Sequence, residues 1–430
     1  MNKYSEYKFH LIEKVKTAFF SLKSKTNKYK STIEEVMITL LCIYVVTTIL
    51  DSSVLIAYDT YDIIVKIIRY TIYIICIIFS FVDFFFFQEK IEIPITWFLL
   101  ALLVIMVTLV SKSSYLIIFT LILFSYRNIS FEKIVNRIKT SVEIVFYSLI
   151  ILTTLKILPD WTYRRDYSTL RHSLGFFYPT MLSTSYLYIM MLEFYVQKRA
   201  IKYIDILTYA LICSFVYLLS DSRTGYIIAL VLVVIMVINK TFNFRIKHKL
   251  GKVVLSIFPF IMILITVITC FGYYYKIPIF IQINRLLSNR LYYSVKGISE
   301  WGVSLFGKKL TMYGWGGYGY MQTPVGFHYN YIDNEFIQIL LSYGVLYTII
   351  LFVFYSRTIR KSIEDGNNEL LVILILYLIL AFIEPNLMKF SRDIFILCMA
   401  SEMFRGGIFY LKMEDNKMVI RVKNSDKELL

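Results

Sequence analysis

Arg164, Arg165, Arg171, Arg223, Arg285, Arg290 and Arg392 each lie close to the end of a long apolar stretch. Arginine stays charged and grips phosphate oxygens through paired N–H donors, so arginines at the edge of an apolar layer suit a phosphate carried on a lipid. The competing reading is that they snorkel to lipid headgroups. Arg223, in a short turn between two apolar runs, has the least room to do so. Carboxylates in the same segments are few: Asp160, Asp166, Asp221, Glu300, Asp333 and Glu384. Asp333 and Glu384 stand at the ends of apolar runs, where burial raises a carboxyl toward the range of a general base. Asp333 equally suits the N-cap of a following helix. His172 beside Arg171, and His328, complete the titratable set. No histidine, cysteine and carboxylate spacing fits a metal, so neither a metal nor another cofactor is expected. The five cysteines, Cys42, Cys76, Cys213, Cys270 and Cys398, sit in apolar runs and read as packing residues. A formal G-x-G-x-x-G at Gly314, Gly316 and Gly319 follows no buried strand and opens no βαβ unit. A loop that lets the backbone approach a bulky glycan is the better reading.

These residues must be positioned by helices in a membrane. Hydrophobic residues make up 58% of the 430-residue chain and charged residues only 18%, more apolar surface than a soluble domain of this length can bury. Apolar runs near 36–55, 63–87, 95–111, 113–126, 140–158, 176–196, 203–219, 224–239, 253–275, 335–355, 370–384 and 393–411 predict about twelve transmembrane helices. The fold class expected is therefore all-α, a polytopic membrane bundle with a large external loop. The lysine-rich first residues (Lys3, Lys8, Lys14, Lys16, Lys23, Lys25, Lys28 and Lys30) predict a cytoplasmic N-terminus with no cleavable signal. Alternate loops agree, with Arg127, Lys133, Arg137 and Lys139, then Lys198, Arg199 and Lys202, then Lys240 to Lys252, on the inside. The expected organisation is a basic cytoplasmic arm over 1–35, about nine helices over 36–275, an extracytoplasmic loop domain over 276–334, about three helices over 335–411, and a cytoplasmic tail over 412–430. The net charge of +16 is spread over short loops and reads as topology and contact with membrane lipid, not as a nucleic-acid surface.

Four motifs resemble the O-antigen polymerase and ligase superfamily, in particular the Wzy-type polymerases of capsule and exopolysaccharide. They are Arg171-His172-Ser173-Leu174-Gly175-Phe176 with Pro179; Ser222-Arg223-Thr224-Gly225; Asn289-Arg290-Leu291 ahead of Leu305-Phe306-Gly307; and Asp333-Asn334-Glu335-Phe336 followed by Leu340, Leu341 and Gly344. Glu384-Pro385-Asn386 is similar too. The chain departs at Thr180, where the family has asparagine, and at Asn289, where glycine is common. The resemblance implies a GT-C-like fold in a bacterial cytoplasmic membrane, both termini inside and the active site outside. It implies a glycosyltransferase that joins oligosaccharide repeat units on undecaprenyl pyrophosphate into a surface polysaccharide. Arg171, Arg223 and Arg290 would then hold the pyrophosphate, with His328, Asp333 or Glu384 as the base. Arg165, Arg285, Trp315, Tyr318 and Asn334 would contact substrate, and a flippase and a chain-length regulator would be further partners. A ligase of the same superfamily, or a flippase for the same lipid-linked unit, are the other readings.

Overall fold

The computed structural model describes residues 28–84, 93–165, 169–242, 248–314, 328–404, 409–414 and 417–422. Its helices are α1 (Lys30–Leu50), α2 (Asp59–Val82), α3 (Ile95–Ser111), α4 (Tyr115–Tyr126), α5 (Phe131–Thr154), α6 (Pro179–Gln197), α7 (Tyr203–Ser220) and α8 (Arg223–Thr241). There follow α9 (Lys249–Ser256), α10 (Phe258–Tyr274), α11 (Pro278–Leu286), α12 (Arg290–Trp301), α13 (Glu335–Glu364), α14 (Asn368–Ala381) and α15 (Cys398–Met403). Two short antiparallel sheets are appended. In one, β2 (Thr162–Arg165) pairs with β3 (Thr169–His172). In the other, β1 (Ile93–Pro94) pairs with β4 (Phe409–Glu414), which pairs with β5 (Lys417–Val422). The segment expected to be a plain cytoplasmic tail thus includes half of a hairpin.

Several helices are long and strongly apolar, as in a multi-pass membrane protein, but the expectation of about twelve spans is overturned. Among the described residues, five helices are long and apolar enough to cross a bilayer: α1, α2, α7, α8 and α13. There are six if α9 and α10, bent by 58°, form one broken span. The reason is that an apolar run records burial, whether in lipid or in protein. Helices α3, α4 and α14 have 17, 12 and 14 residues. At 1.5 Å per residue, all three fall short of a hydrocarbon core about 30 Å thick. Helix α5 is long enough but carries Glu132, Lys133, Arg137, Lys139 and Glu143. In α6, 15 of 19 residues are buried, Ser183, Thr184 and Ser185 among them, because it is enclosed by α5, α7, α8 and α14. Among its described residues, the last expected span, 393–411, holds a 3₁₀ turn (Phe395–Leu397), the six-residue α15 and the start of β4.

Helix α13 is interrupted at Gly344, whose φ is +83°. The opened turn is filled by the chain that follows α12. Lys308 N donates to Leu341 O (2.9 Å), and Val345 N to Ser304 O (3.0 Å). Gly307 and Gly344 meet here: a Cβ on Gly307 would lie 2.1 Å from Ser342 O, and one on Gly344 2.3 Å from Leu305 O. Neither position has room for a side chain, and both need positive φ. Backbone groups freed by the break thus find backbone partners, as buried non-helical chain requires.

Candidate active site

Residues 382–394, between α14 and the 3₁₀ turn, form a buried loop that is not helical. Its polar backbone is met by side chains from beneath. Glu335, the first residue of α13, accepts from Leu387 N (2.6 Å) and Met388 N (3.1 Å). Asn334 Nδ2 donates to Phe382 O (3.1 Å). The hydroxyls of Tyr115 and Tyr377 donate to Met388 O and Arg392 O. Tyr188 reaches toward Phe390 O (3.5 Å). Asn334 also caps α13, its side chain accepting from Ile337 N, so the capping role considered for Asp333 belongs to its neighbour.

This loop makes one wall of a cavity of about 470 Å³. The structure brings Arg171, Arg223, Arg290, Asp333 and Glu384 to it from five separate stretches of chain, together with Lys389 and Arg392. Arg171, on β3, is buried; its Nε donates to Ser220 O (2.7 Å) at the C-terminal end of α7, where carbonyls favour a cation. Its guanidinium carbon lies 5.5 Å from the centre of the Tyr178 ring. Arg223 opens α8 and is largely exposed, 3.8 Å from Asp221. Gly225 allows α8 to approach α6 closely, since a Cβ there would lie 2.4 Å from Ser183 Oγ. Arg290 opens α12, after a turn in which Ser288 and Asn289 both have positive φ (54° and 66°). Asparagine tolerates that region better than most residues. Two helix N-termini therefore face the cavity, each adding partial positive charge.

Arg290 stands between two carboxylates without closing on either. Its Nε is 3.7 Å from Asp333 Oδ2 and its Nη2 is 4.0 Å from Glu384 Oε1. Arg290 Nε and Glu384 Oε1 are buried with no hydrogen-bond partner among the described residues, a costly arrangement that a polar ligand would relieve. Burial pushes the Asp333 carboxyl up to about 6; Glu384 adds to the rise, while Arg290 and a hydrogen bond from Tyr329 (3.2 Å) oppose it. Burial and the neighbouring Arg392 bring the Lys389 ammonium down to about 8, against the pull of Glu335, Glu384 and Asp333. Arg392 donates to Asn386 Oδ1 (2.7 Å), and its Nη2 lies 3.5 Å from Ser52 Oγ. Five cations thus face two carboxylates, and the cavity carries about three positive charges in excess when all are ionised. An excess of positive charge in a partly desolvated cavity is electrostatically suited to an anionic group.

Other candidates lie elsewhere. His328 is exposed and does not line the cavity. Arg285 is exposed on α11 and does not line the cavity. Asn334 is buried and committed to its two backbone partners. The backbone of Arg165 closes the β2–β3 hairpin, but its side chain, and all of Trp315 and Tyr318, lie outside the described residues. His172 pairs with Asp160 (2.6 Å), whose other oxygen accepts from Ser173 N and Leu174 N, so this pair braces the turn behind Arg171. Among the described residues no group of three or more His, Cys, Asp or Glu could hold a metal ion.

Sequence reasoning gave Lys389 no role and treated Arg392 only as one of several boundary arginines. A signal was present: Lys389, Arg392 and Asp393 interrupt apolar sequence just after Pro385, where neither a helix nor lipid tolerates them. No protein-family model matches the chain, and no curated protein or solved structure matches it either.

Proposed function

We propose that the protein is a glycosyltransferase of the outer membrane–water boundary, a polymerase joining oligosaccharide repeat units carried on undecaprenyl pyrophosphate. The observation that carries this reading is the convergence of Arg171, Arg223 and Arg290 on one cavity, with Asp333 and Glu384 beside them. In this reading, as the family resemblance implies, both termini lie in the cytoplasm of a bacterium and the cavity faces outward. Transfer of the growing glycan breaks the bond between its reducing-end carbon and the pyrophosphate, forms a bond to the acceptor hydroxyl oxygen, and frees lipid pyrophosphate. The leaving group is a stable anion, so the enzyme's main task is to stabilise charge on its oxygens, which preorganised arginines do without protonating it. Asp333, poised near 6 and facing the cavity, takes the proton of the acceptor hydroxyl.

The test is reconstitution in nanodiscs with the host's lipid-linked repeat unit, products resolved by size, and Arg223→Ala alongside. A ladder of lengths made by the wild type and reduced about 10²–10³-fold in the variant, at equal protein level, is the expected result. A single unit passed to a different acceptor would assign a ligase. Movement of intact substrate across a sealed bilayer, with no product, would assign a flippase instead.

A further inference from the structure

Four of the five cations in the cavity are held by a polar neighbour. Arg171 donates to Ser220 O, Arg223 stands by Asp221, Arg290 lies between Asp333 and Glu384, and Arg392 bonds Asn386. Lys389 differs. Its carbonyl is fixed, accepting from Arg392 N and Asp393 N (2.8 Å each), and the loop on either side is tied to Glu335, Tyr115 and Tyr377. Its ammonium has no carboxylate within 4 Å among the described residues. A half-buried cation on a hydrogen-bonded loop, lining the cavity and in contact with no carboxylate, is placed for a ligand to neutralise.

We propose that Lys389, with Arg392 beside it, is a further substrate-binding residue that takes a phosphate oxygen of the pyrophosphate; this deepens, and rests on, the function proposed above. The charged groups facing Lys389 are Arg392, Glu335, Glu384 and Asp333, with Arg290 beyond the two cavity carboxylates. Burial and Arg392 hold the ammonium near 8, so it is mostly charged at neutral pH and loses its proton just above it. An arriving pyrophosphate offsets Arg392 and favours the ammonium, so binding draws a proton onto Lys389 on the alkaline side. An arginine there would stay charged throughout. Near and above pH ~8, lysine gains its charge as the anion arrives and loses it as the anion leaves.

Calorimetric titration of the full chain in nanodiscs tests this, using farnesyl pyrophosphate and inorganic pyrophosphate as probes. Near pH ~8, buffers with different ionisation heats report proton uptake. The wild type should bind farnesyl pyrophosphate and take up part of a proton. Lys389→Gln should weaken binding about tenfold and abolish the uptake, while Lys389→Arg keeps the affinity and also loses the uptake. Unchanged affinity and uptake in Lys389→Gln, with Arg223→Ala weakened, would overturn Lys389 and leave the proposed function standing. If inorganic pyrophosphate bound as tightly, and binding were still lost in Lys389→Gln, the anion role would hold and the lipid carrier would fall. If the wild type bound neither probe, both proposals would fall.

Discussion

Replacing Arg290 by glutamine removes the charge that separates Asp333 from Glu384 and should drive Asp333 to its neutral form at physiological pH. The contacts at 3.7 and 4.0 Å are longer than hydrogen bonds, so the coupling is Coulombic. Opposite charges at such a distance are worth about 1 kcal/mol in water and about 4 kcal/mol at the effective dielectric near a protein surface. The Asp333 side chain is 23% exposed, between these limits. At about 1.4 kcal/mol per pKa unit, losing the cation moves Asp333 upward by about one to three units. The direction is fixed, because removing a nearby cation favours the uncharged acid. Starting from about 6, the carboxyl passes from mostly ionised to at least about half protonated at neutral pH. Infrared titration of the protein in nanodiscs reads this through the carbonyl band of the protonated acid, with Asp333→Asn identifying which band belongs to Asp333. In Arg290→Gln the midpoint of that band should rise by at least about one unit. A midpoint that stayed in place, or fell, would refute the electrostatic account of the cavity.

Three further outcomes follow from the same geometry. Gly344→Ala should lower the thermal unfolding midpoint in detergent, since positive φ costs about 1–2 kcal/mol for alanine and the Cβ would press on Leu305 O; an unchanged midpoint would mean the α13 break is not held by this contact. Glu335→Gln should cost about 1–3 kcal/mol, because one of the two amides of Leu387 and Met388 loses its acceptor, and hydrogen exchange at those two amides should speed up. Asp333 has a raised folded-state value, so its protonated form adds stability below pH ~4 that is lost as pH rises through about 6. Asp333→Asn should therefore show a smaller fall in unfolding midpoint across that window, by an amount equivalent to about 1–3 kcal/mol.

The positions of most helices could be read from the apolar runs, but their relation to lipid could not. An apolar run such as that of α6 looks the same whether lipid or protein surrounds it, and only three-dimensional packing shows that α6 is enclosed. Length also misled, because α4 and α14 are apolar over most of their residues yet too short to span. Arg171, Arg223, Arg290, Asp333 and Glu384 stood out in sequence because charge at the edge of an apolar run is unusual. Lys389 also interrupts apolar sequence, but its place in the cavity depends on a loop held by Glu335, Tyr115, Tyr188 and Tyr377, which no local pattern reveals. The choice of Asn334 over Asp333 as the cap turns on a single step along the backbone, finer than any pattern resolves.

The supports of the 382–394 loop also set an order of events during synthesis. Its braces come from α4, α6, α13 and α14, every one made before the loop itself. Until residues 382–394 emerge, Arg171, Arg223 and Arg290 have no opposite wall, and the cavity does not exist. The cavity is therefore completed late, only once this loop docks onto helices already made.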